Sequence, residues 1–244
     1  MSVDAHCHID LHPDPQSVVE MAVAVGLSVV AVTTTPAAFK GSSRFSDRSN
    51  GVHPALGMHP EVVATRPNDI SIFTKYIDQV TWVGEIGLDG SKRFRSSWDQ
   101  QVSVFRQVLC DCADAGGRVL SIHSRAASKE VLEILAESPN AGTPVFHWFS
   151  GRLSEVNLAL DMGSYFSVND QMLRSKSGAE IARRIPMNRL LTESDAPFAQ
   201  GKKDETLLER IQGCERTLAD IYKCDQQAVR VAIKRNFDFL SPRQ

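Results

Sequence analysis

Six side chains in this 244-residue sequence have the types and placement to hold metal ions: His6, His8, Glu85, His123, His147 and Asp195. Imidazole nitrogens and carboxylate oxygens suit Zn, Mn, Fe, Ni and Mg-class divalent ions, and a set without cysteine is not a thiolate site. His6 and His8 are two residues apart. On an extended strand, side chains alternate between faces, so both rings project the same way and Cys7 projects outward between them. Glu85 lies in the run Val83-Gly84-Glu85-Ile86-Gly87-Leu88-Asp89. Inside a barrel its carboxylate is costly unless a cation or partner neutralises it. It can also bridge two ions through its two oxygens, and the flanking glycines leave room for close approach. Six ligands are more than one tetrahedral ion takes. The expectation is therefore two divalent ions sharing a bridge, an arrangement that clamps the attacking and leaving oxygens of a hydrolysis.

These residues need a scaffold that delivers them to one place. Short apolar runs at 2–6, 28–34, 52–58, 81–86, 119–123, 144–146, 164–168 and 189–193 read as eight strands. The runs Val29-Val30-Ala31-Val32 and Val119-Leu120-Ser121-Ile122 are apolar on both faces, as buried parallel strands require. Helical stretches fall at 15–25, 68–78, 98–115, 128–136, 154–162, 176–185, 205–222 and 226–239. Gly26 is placed to terminate the first of these, and Asn68 or Asp69 to cap the second. Strands alternating with helices predict one TIM-type (β/α)8 barrel across residues 1–244, a single domain of the α/β class. The rival, a doubly wound open sheet, lacks its Gly-rich phosphate turn after the first strand. In a barrel, catalytic groups gather at the C-terminal ends of the strands. His6, Glu85, His123, His147 and Asp195 each fall where a strand meets its loop. Residues 40–50 read as the most mobile loop.

The bulk composition narrows the function. Hydrophobic residues make up 42% and charged residues 23%, which suits a globular fold with a sizeable core. A formal net charge of −2 gives no global basic field, which weighs against a large duplex-binding surface. Local cations remain on expected catalytic-face loops: Lys92, Arg93, Arg95, Arg174, Lys176, Lys202 and Lys203. No apolar run is long enough to span a membrane, and the start Met1-Ser2-Val3-Asp4 has no basic-then-apolar leader. A cytoplasmic location is the expectation. Five scattered cysteines, Cys7, Cys110, Cys112, Cys214 and Cys224, read as packed or partly exposed thiols rather than a disulfide framework.

The ordered motifs resemble those of the TatD family of metal-dependent deoxyribonucleases, in the amidohydrolase superfamily. The likeness runs through His6-Cys7-His8, Gly57-Met58-His59-Pro60, Gly84-Glu85-Ile86-Gly87-Leu88-Asp89, His123-Ser124-Arg125, His147-Trp148-Phe149-Ser150-Gly151, Glu193-Ser194-Asp195-Ala196-Pro197 and Asn236. It implies that His6, His8 and Asp195 bind one ion, His123 and His147 bind the second, and Glu85 bridges them, with Zn, Mg or Mn as the metal. It also implies that His59 lies near the scissile phosphate as a proton donor or contact, and that Arg125 contacts phosphate through its planar fork. The implied reaction is phosphodiester hydrolysis, with DNA, most readily single-stranded, as the partner and no membrane involved. Departures include Gly90-Ser91 after Leu88-Asp89, Trp148 where relatives carry a smaller residue, and Ala196 in place of Ser. Trp148 reads equally as a base-stacking ring or a packed aromatic.

A narrower resemblance rests on Asp10-Leu11-His12-Pro13-Asp14-Pro15, Val32-Thr33-Thr34-Thr35-Pro36 and Gly87-Leu88-Asp89-Gly90. These segments are similar to QatD, the TatD-like component of the Qat anti-phage defence system. That likeness implies the other Qat proteins as partners. Two alternatives stand beside the nuclease. One is another amidohydrolase-type enzyme acting on a small ester, amide or phosphoester. The other is a metal-bearing, non-enzymatic subunit of a defence complex.

Overall fold

The computed structural model describes residues 1–45, 50–199, 201 and 205–242. The elements alternate as expected. They are β1 (Val3–Cys7), α1 (Pro15–Ala24), β2 (Ser28–Ala31), α2 (Pro36–Ser42), β3 (Val52–Leu56), α3 (Ile70–Tyr76), β4 (Trp82–Gly87), α4 (Trp98–Asp114), β5 (Arg118–His123), α5 (Ser128–Ala136), β6 (Gly142–His147), α6 (Leu153–Asp161), β7 (Tyr165–Val168), α7 (Asp170–Arg174), α8 (Lys176–Arg184), β8 (Leu190–Thr192), α9 (Leu207–Tyr222) and α10 (Gln226–Leu240).

The eight strands lie side by side in chain order, each parallel to the next. The chain after β8 returns to β1. Asp195 N donates to His6 O at 2.9 Å, and His8 N donates to Ala196 O at 2.9 Å. The Thr192 hydroxyl donates to Val3 O at 2.6 Å. The result is a nearly closed β/α barrel, as the strand pattern predicts. The β2 run is buried on both faces because each face meets an apolar layer. Val29 and Ala31 share a cluster with Val18, Val19 and Ala22 of α1, while Val30 and Val32 belong to the larger core. Cys7 packs in the α1 cluster, which confirms its outward direction. All five cysteines are free, and Cys110 and Cys112 sit on opposite sides of α4, one exposed and one buried. Asn236, on α10, donates to Met187 O and Leu190 O at 2.8 Å each, so it ties the last helix to the start of β8 and takes no part in the site.

The caps explain most helix boundaries. Asp14 accepts from Ser17 N ahead of Pro15, and Gly26, at φ +66°, ends α1 as expected. The expected cap on α3 is a correction: Asp69 occupies the position but makes no side-chain capping bond. Two short helices escape the periodicity. α2 starts at Thr35-Pro36, where Thr35 Oγ1 accepts from Ala38 N, and α7 starts at Asn169, which accepts from Met172 N. Five residues give α7 too few turns for an amphipathic pattern to show, and α2, seven residues with Gly41 near its end, lacks the further turn at 77–79 that extends the equally short α3. Consequently residues 40–42 are helical rather than loop, and 46–49 lie outside the described residues. No helix among the described residues is long and apolar enough to cross a membrane.

One close approach sets the position of Glu85. Beyond β2 the backbone reaches over the end of β3 to β4: Glu85 N donates to Thr33 O at 3.0 Å and Thr33 N donates to Gly84 O at 3.1 Å. Gly57 lies beneath this exchange. A Cβ there would fall 1.6 Å from Thr33 O and 2.7 Å from Glu85 N. No rotamer relieves that overlap, because backbone meets backbone. Gly57→Ala should therefore cost about 3 kcal/mol or more and lower Tm by about 6–12 °C. Thermal unfolding read by circular dichroism checks this, and an unchanged Tm would contradict it.

Candidate active site

Five of the seven histidines converge on one carboxylate. Glu85, 3% exposed, points into the barrel mouth from β4. Its two oxygens face different rings. Oε2 lies 3.1 Å from His8 Nε2 and 3.4 Å from His6 Nε2. Oε1 lies 2.8 Å from His123 Nδ1 and 3.1 Å from both His59 Nε2 and His147 Nε2. Asp195 Oδ1 approaches His6 and His8 at 3.8 Å. The six residues expected as ligands, together with His59, are thus brought together. Three sets present one atom each within mutual reach of an ion: His6, His8 and Asp195; His6, Glu85 and His147; and His59, Glu85 and His123.

The local backbone explains how adjacent residues deliver their groups. His6 and His8 project together, with their Nε2 atoms 3.3 Å apart. Gly87, at φ +130°, allows β4 to lie against β5, since a Cβ there would fall 2.1 Å from His123 O. Asp195 and Trp148 have φ of +46° and +37°. Left-handed backbone costs a non-glycine residue roughly 1–3 kcal/mol, and such conformations concentrate at functional sites. At Asp195 it accompanies the backbone bond to His6 and the side-chain turn toward the His6/His8 pair. At Trp148 the ring packs, partly buried, on the core, which is the packed-aromatic alternative.

Several buried groups orient these side chains, and sequence reading had not singled them out. His6 Nδ1 pairs with Ser121 Oγ at 2.8 Å, which leaves Nε2 facing the cluster. His123 Nε2 pairs with Asp89 Oδ2 at 3.0 Å, which leaves Nδ1 facing Glu85. Glu193 lies 3.4 Å from His147 Nδ1, accepts from Trp148 N at 3.1 Å and Asn169 Nδ2 at 2.9 Å, and also accepts from the Ser167 hydroxyl. Asp4 accepts from His6 N and Ser194 N, which pins β1 to the β8 loop. Such outer partners fix tautomer and ring direction in metal sites. Asp89 and Glu193 were visible as acidic residues inside otherwise apolar motifs. Ser121 and Asp4 carried no comparable signal.

His59 is held differently from the other rings. Its Nδ1 accepts from Glu61 N at 3.1 Å. In the neutral ring the proton therefore sits on Nε2 and points at Glu85. Burial lowers the His59 pKa, which favours that neutral form.

The electrostatics call for cations. Asp4, Glu85, Asp89, Glu193 and Asp195 are all buried. Among the described residues no lysine or arginine forms an ion pair with any of them, and the charged partners of Glu85, Asp89, Glu193 and Asp195 are histidine rings alone. Burial pushes the Asp195 and Asp4 carboxyls up to about 7. Burial also opposes ionisation of Glu85, but the imidazoles of His59, His147 and His6 and the bond from His123 outweigh it and hold the carboxyl well below the usual range. His6 is driven well down by burial and by His147. For His147, burial is overcome by Glu193 and Glu85, and its pKa rises well above normal. Buried carboxylates among nitrogen lone pairs, with His8 Nδ1 unpartnered, form an all-N/O donor set suited to divalent ions. The residues fit the metal centre.

The expected phosphate contacts are placed differently. Arg125 is exposed beyond the end of β5, and its guanidinium has no ion pair or hydrogen bond among the described residues. Lys92 is exposed, and Arg93 and Arg95 lie over the Phe94 and Trp98 rings. Arg174 and Lys176 are corrections to the loop assignment. Arg174 ends α7 and pairs with Asp170, and Lys176 opens α8. Lys202 and Lys203 lie outside the described residues.

Comparison with known proteins shows the family of the chain. Human deoxyribonuclease TATDN3 is 30% identical over 215 residues, covering 80% of this chain and 77% of the relative. Deoxyribonuclease Tat-D of Schizosaccharomyces pombe is 27% identical over 208 residues, covering 78% and 66%. The crystal structure of YjjV, a TatD homologue from Escherichia coli K12, aligns with a TM-score of 0.86 at 20% identity over 98% of this chain and 97% of that one. At that identity the structural likeness speaks for the fold. The family model for TatD related DNase matches residues 3–240. With the match running over almost its full length, the chain belongs to the TatD related DNase family of hydrolases.

Proposed function

We propose that the protein is a metal-dependent deoxyribonuclease that hydrolyses phosphodiester bonds near the ends of single-stranded DNA, with two divalent ions at the barrel mouth. The observation that carries this reading is the divided Glu85 carboxylate, each oxygen facing its own group of imidazoles. In this reading His6, His8 and Asp195 would hold one ion and His123 and His147 the other, with a Glu85 oxygen available to each group. Zn, Mg or Mn ions supply charge for the phosphate oxygens and lower the pKa of water.

The chain's own groups do the rest. Ser121 and Asp89 fix the His6 and His123 rings, so little reorganisation is needed when substrate arrives. His59 presents an N–H toward the centre and serves as the proton donor or hydrogen-bond donor at the scissile phosphate. Arg125 is free to take a neighbouring phosphate in its fork. Strand ends reach a barrel mouth more readily than an intact duplex, and the described residues include no duplex-reading element.

Incubation of purified protein with a 3′-labelled single-stranded oligonucleotide and Mg²⁺, Mn²⁺ or Zn²⁺, alongside metal analysis, tests the reading. Cleavage is expected with bound divalent ion. Glu85→Gln and Asp195→Asn should each lower cleavage at least roughly 100-fold with reduced metal content. A metal-loaded protein that cuts no DNA would point instead to a small ester, amide or phosphoester. His59→Ala should behave differently. It should lower kcat by roughly 100-fold or more with metal content unchanged, and loss of metal would reassign His59 as a ligand.

The narrower likeness of residues 10–15, 32–36 and 87–90 supports a place in anti-phage defence, with other Qat proteins as partners. Three of these residues have local structural duties: Asp14 and Thr35 cap α1 and α2, and Gly90 N donates to Arg125 O at 2.9 Å. Phage plating on cells carrying the whole system tests the proposal. Asp195→Asn should abolish protection; full protection by a folded variant would favour the non-enzymatic subunit role.

A further inference from the structure

Phe198 lies beside the metal cluster yet has no role in it. It follows Asp195-Ala196-Pro197 in the turn after β8. Phe198 is 58% exposed. Its ring meets His8 with centroids 4.9 Å apart and planes at 89°. The backbone that carries it is firmly held. Ala199 N donates to Asp195 O at 2.9 Å, Arg210 Nη1 donates to Ala199 O at 2.7 Å, and both Ala196 and Ala199 are buried. A fixed turn thus keeps an apolar ring in solvent at the rim of the site.

A single exposed apolar side chain needs no explanation by itself. The location of Phe198 does. Among the described residues two phenylalanines are exposed, Phe198 and Phe239. Phe239 lies beside Thr81, Val119 and Thr143, at the N-terminal ends of β4, β5 and β6, on the opposite end of the barrel. Phe198 contacts the ring whose Nε2 is 3.1 Å from Glu85 Oε2. A nucleotide whose phosphate met cations held at Glu85 and His8 would have its flanking base within reach of this ring.

We propose that Phe198 is a substrate-contact residue, a platform on which the base flanking the scissile phosphate stacks. This rests on the nuclease reading of the site. Stacking on an aromatic face tolerates any base and requires it to be unpaired. It would give the enzyme a grip on strand ends without base-edge readout and without a strong basic field, in keeping with the net charge of −2. Because the ring is not a ligand, its removal weakens substrate binding and leaves the metal in place.

The test compares wild type, Phe198→Ala and Phe198→Trp on single-stranded oligonucleotides in which one abasic residue is stepped through the terminal positions. Both cleavage kinetics and binding, read by fluorescence anisotropy, are followed. Phe198→Ala should raise KM and Kd for the intact strand on the order of tenfold, with kcat and metal content little changed. At one register the abasic strand should bind wild type and Phe198→Ala equally, and Phe198→Trp should restore base-dependent affinity. Equal affinity of wild type and Phe198→Ala for the intact strand overturns the proposal. A loss of equal size at every abasic register also overturns it. Base-dependent binding through Phe198 without any cleavage would support the platform and overturn the nuclease reading alone.

Discussion

The organising interaction of this protein is a single buried carboxylate surrounded by five imidazoles. Taking the charge of Glu85 out of water is expensive, and in a low-dielectric interior the cost is met only by nearby positive charge or well-aimed donors. The imidazoles meet part of it, His147 most of all, since Glu193 and Glu85 hold its pKa well above normal. Divalent ions, where bound, would supply the remaining positive charge at Glu85 and beside Asp195. Much of the surrounding architecture serves to hold this one group where both of its oxygens can be used.

That requirement explains features that would otherwise look like defects. The backbone exchange between Thr33 and Glu85 across Gly57 leaves no space for a side chain. Asp195 holds a left-handed conformation that costs stability. Five carboxylates are buried near one end of the barrel without a lysine or arginine partner among the described residues. The barrel carries these burdens on apolar layers that run from the α1 cluster, which takes in Cys7 and Ala196 beside the site, to the stacked Phe146 and Phe166 of β6 and β7. Stability resides in those layers, and chemistry resides at the strand ends.

The cluster around Glu85 also separates two kinds of side chain. Those that orient the His6, His123 and His147 rings, namely Ser121, Asp89 and Glu193, are buried and hydrogen-bonded. Arg125 and Phe198, proposed above to meet substrate, are exposed. His59 stands between them, capped on one nitrogen by backbone and open on the other toward Glu85. A rigid inner shell under an accessible rim is the arrangement that electrostatic preorganisation requires.

Much of this was legible in the linear sequence. All eight strands and eight of the ten helices among the described residues lie where hydrophobic alternation puts them, because parallel barrel strands are apolar on both faces and most of these helices carry two or more turns of pattern. The residues gathered around Glu85 were identifiable because histidines and carboxylates are conspicuous at the ends of apolar runs. The short helices α2 and α7 were not, since few residues carry no period, and neither were Ser121 and Asp4, since a serine or aspartate in a strand has no distinguishing signature until its partner is known. Those partners are 115 and 190 residues away along the chain. The sequence by itself therefore determined the inventory: a β/α alternation and a set of N and O ligands at strand ends. Only the tertiary structure decided which oxygen of Glu85 meets which ring, which nitrogen of each histidine is turned inward, and that Phe198 stands exposed against His8. These are matters of direction and distance between residues remote in sequence, and only closure of the barrel fixes them.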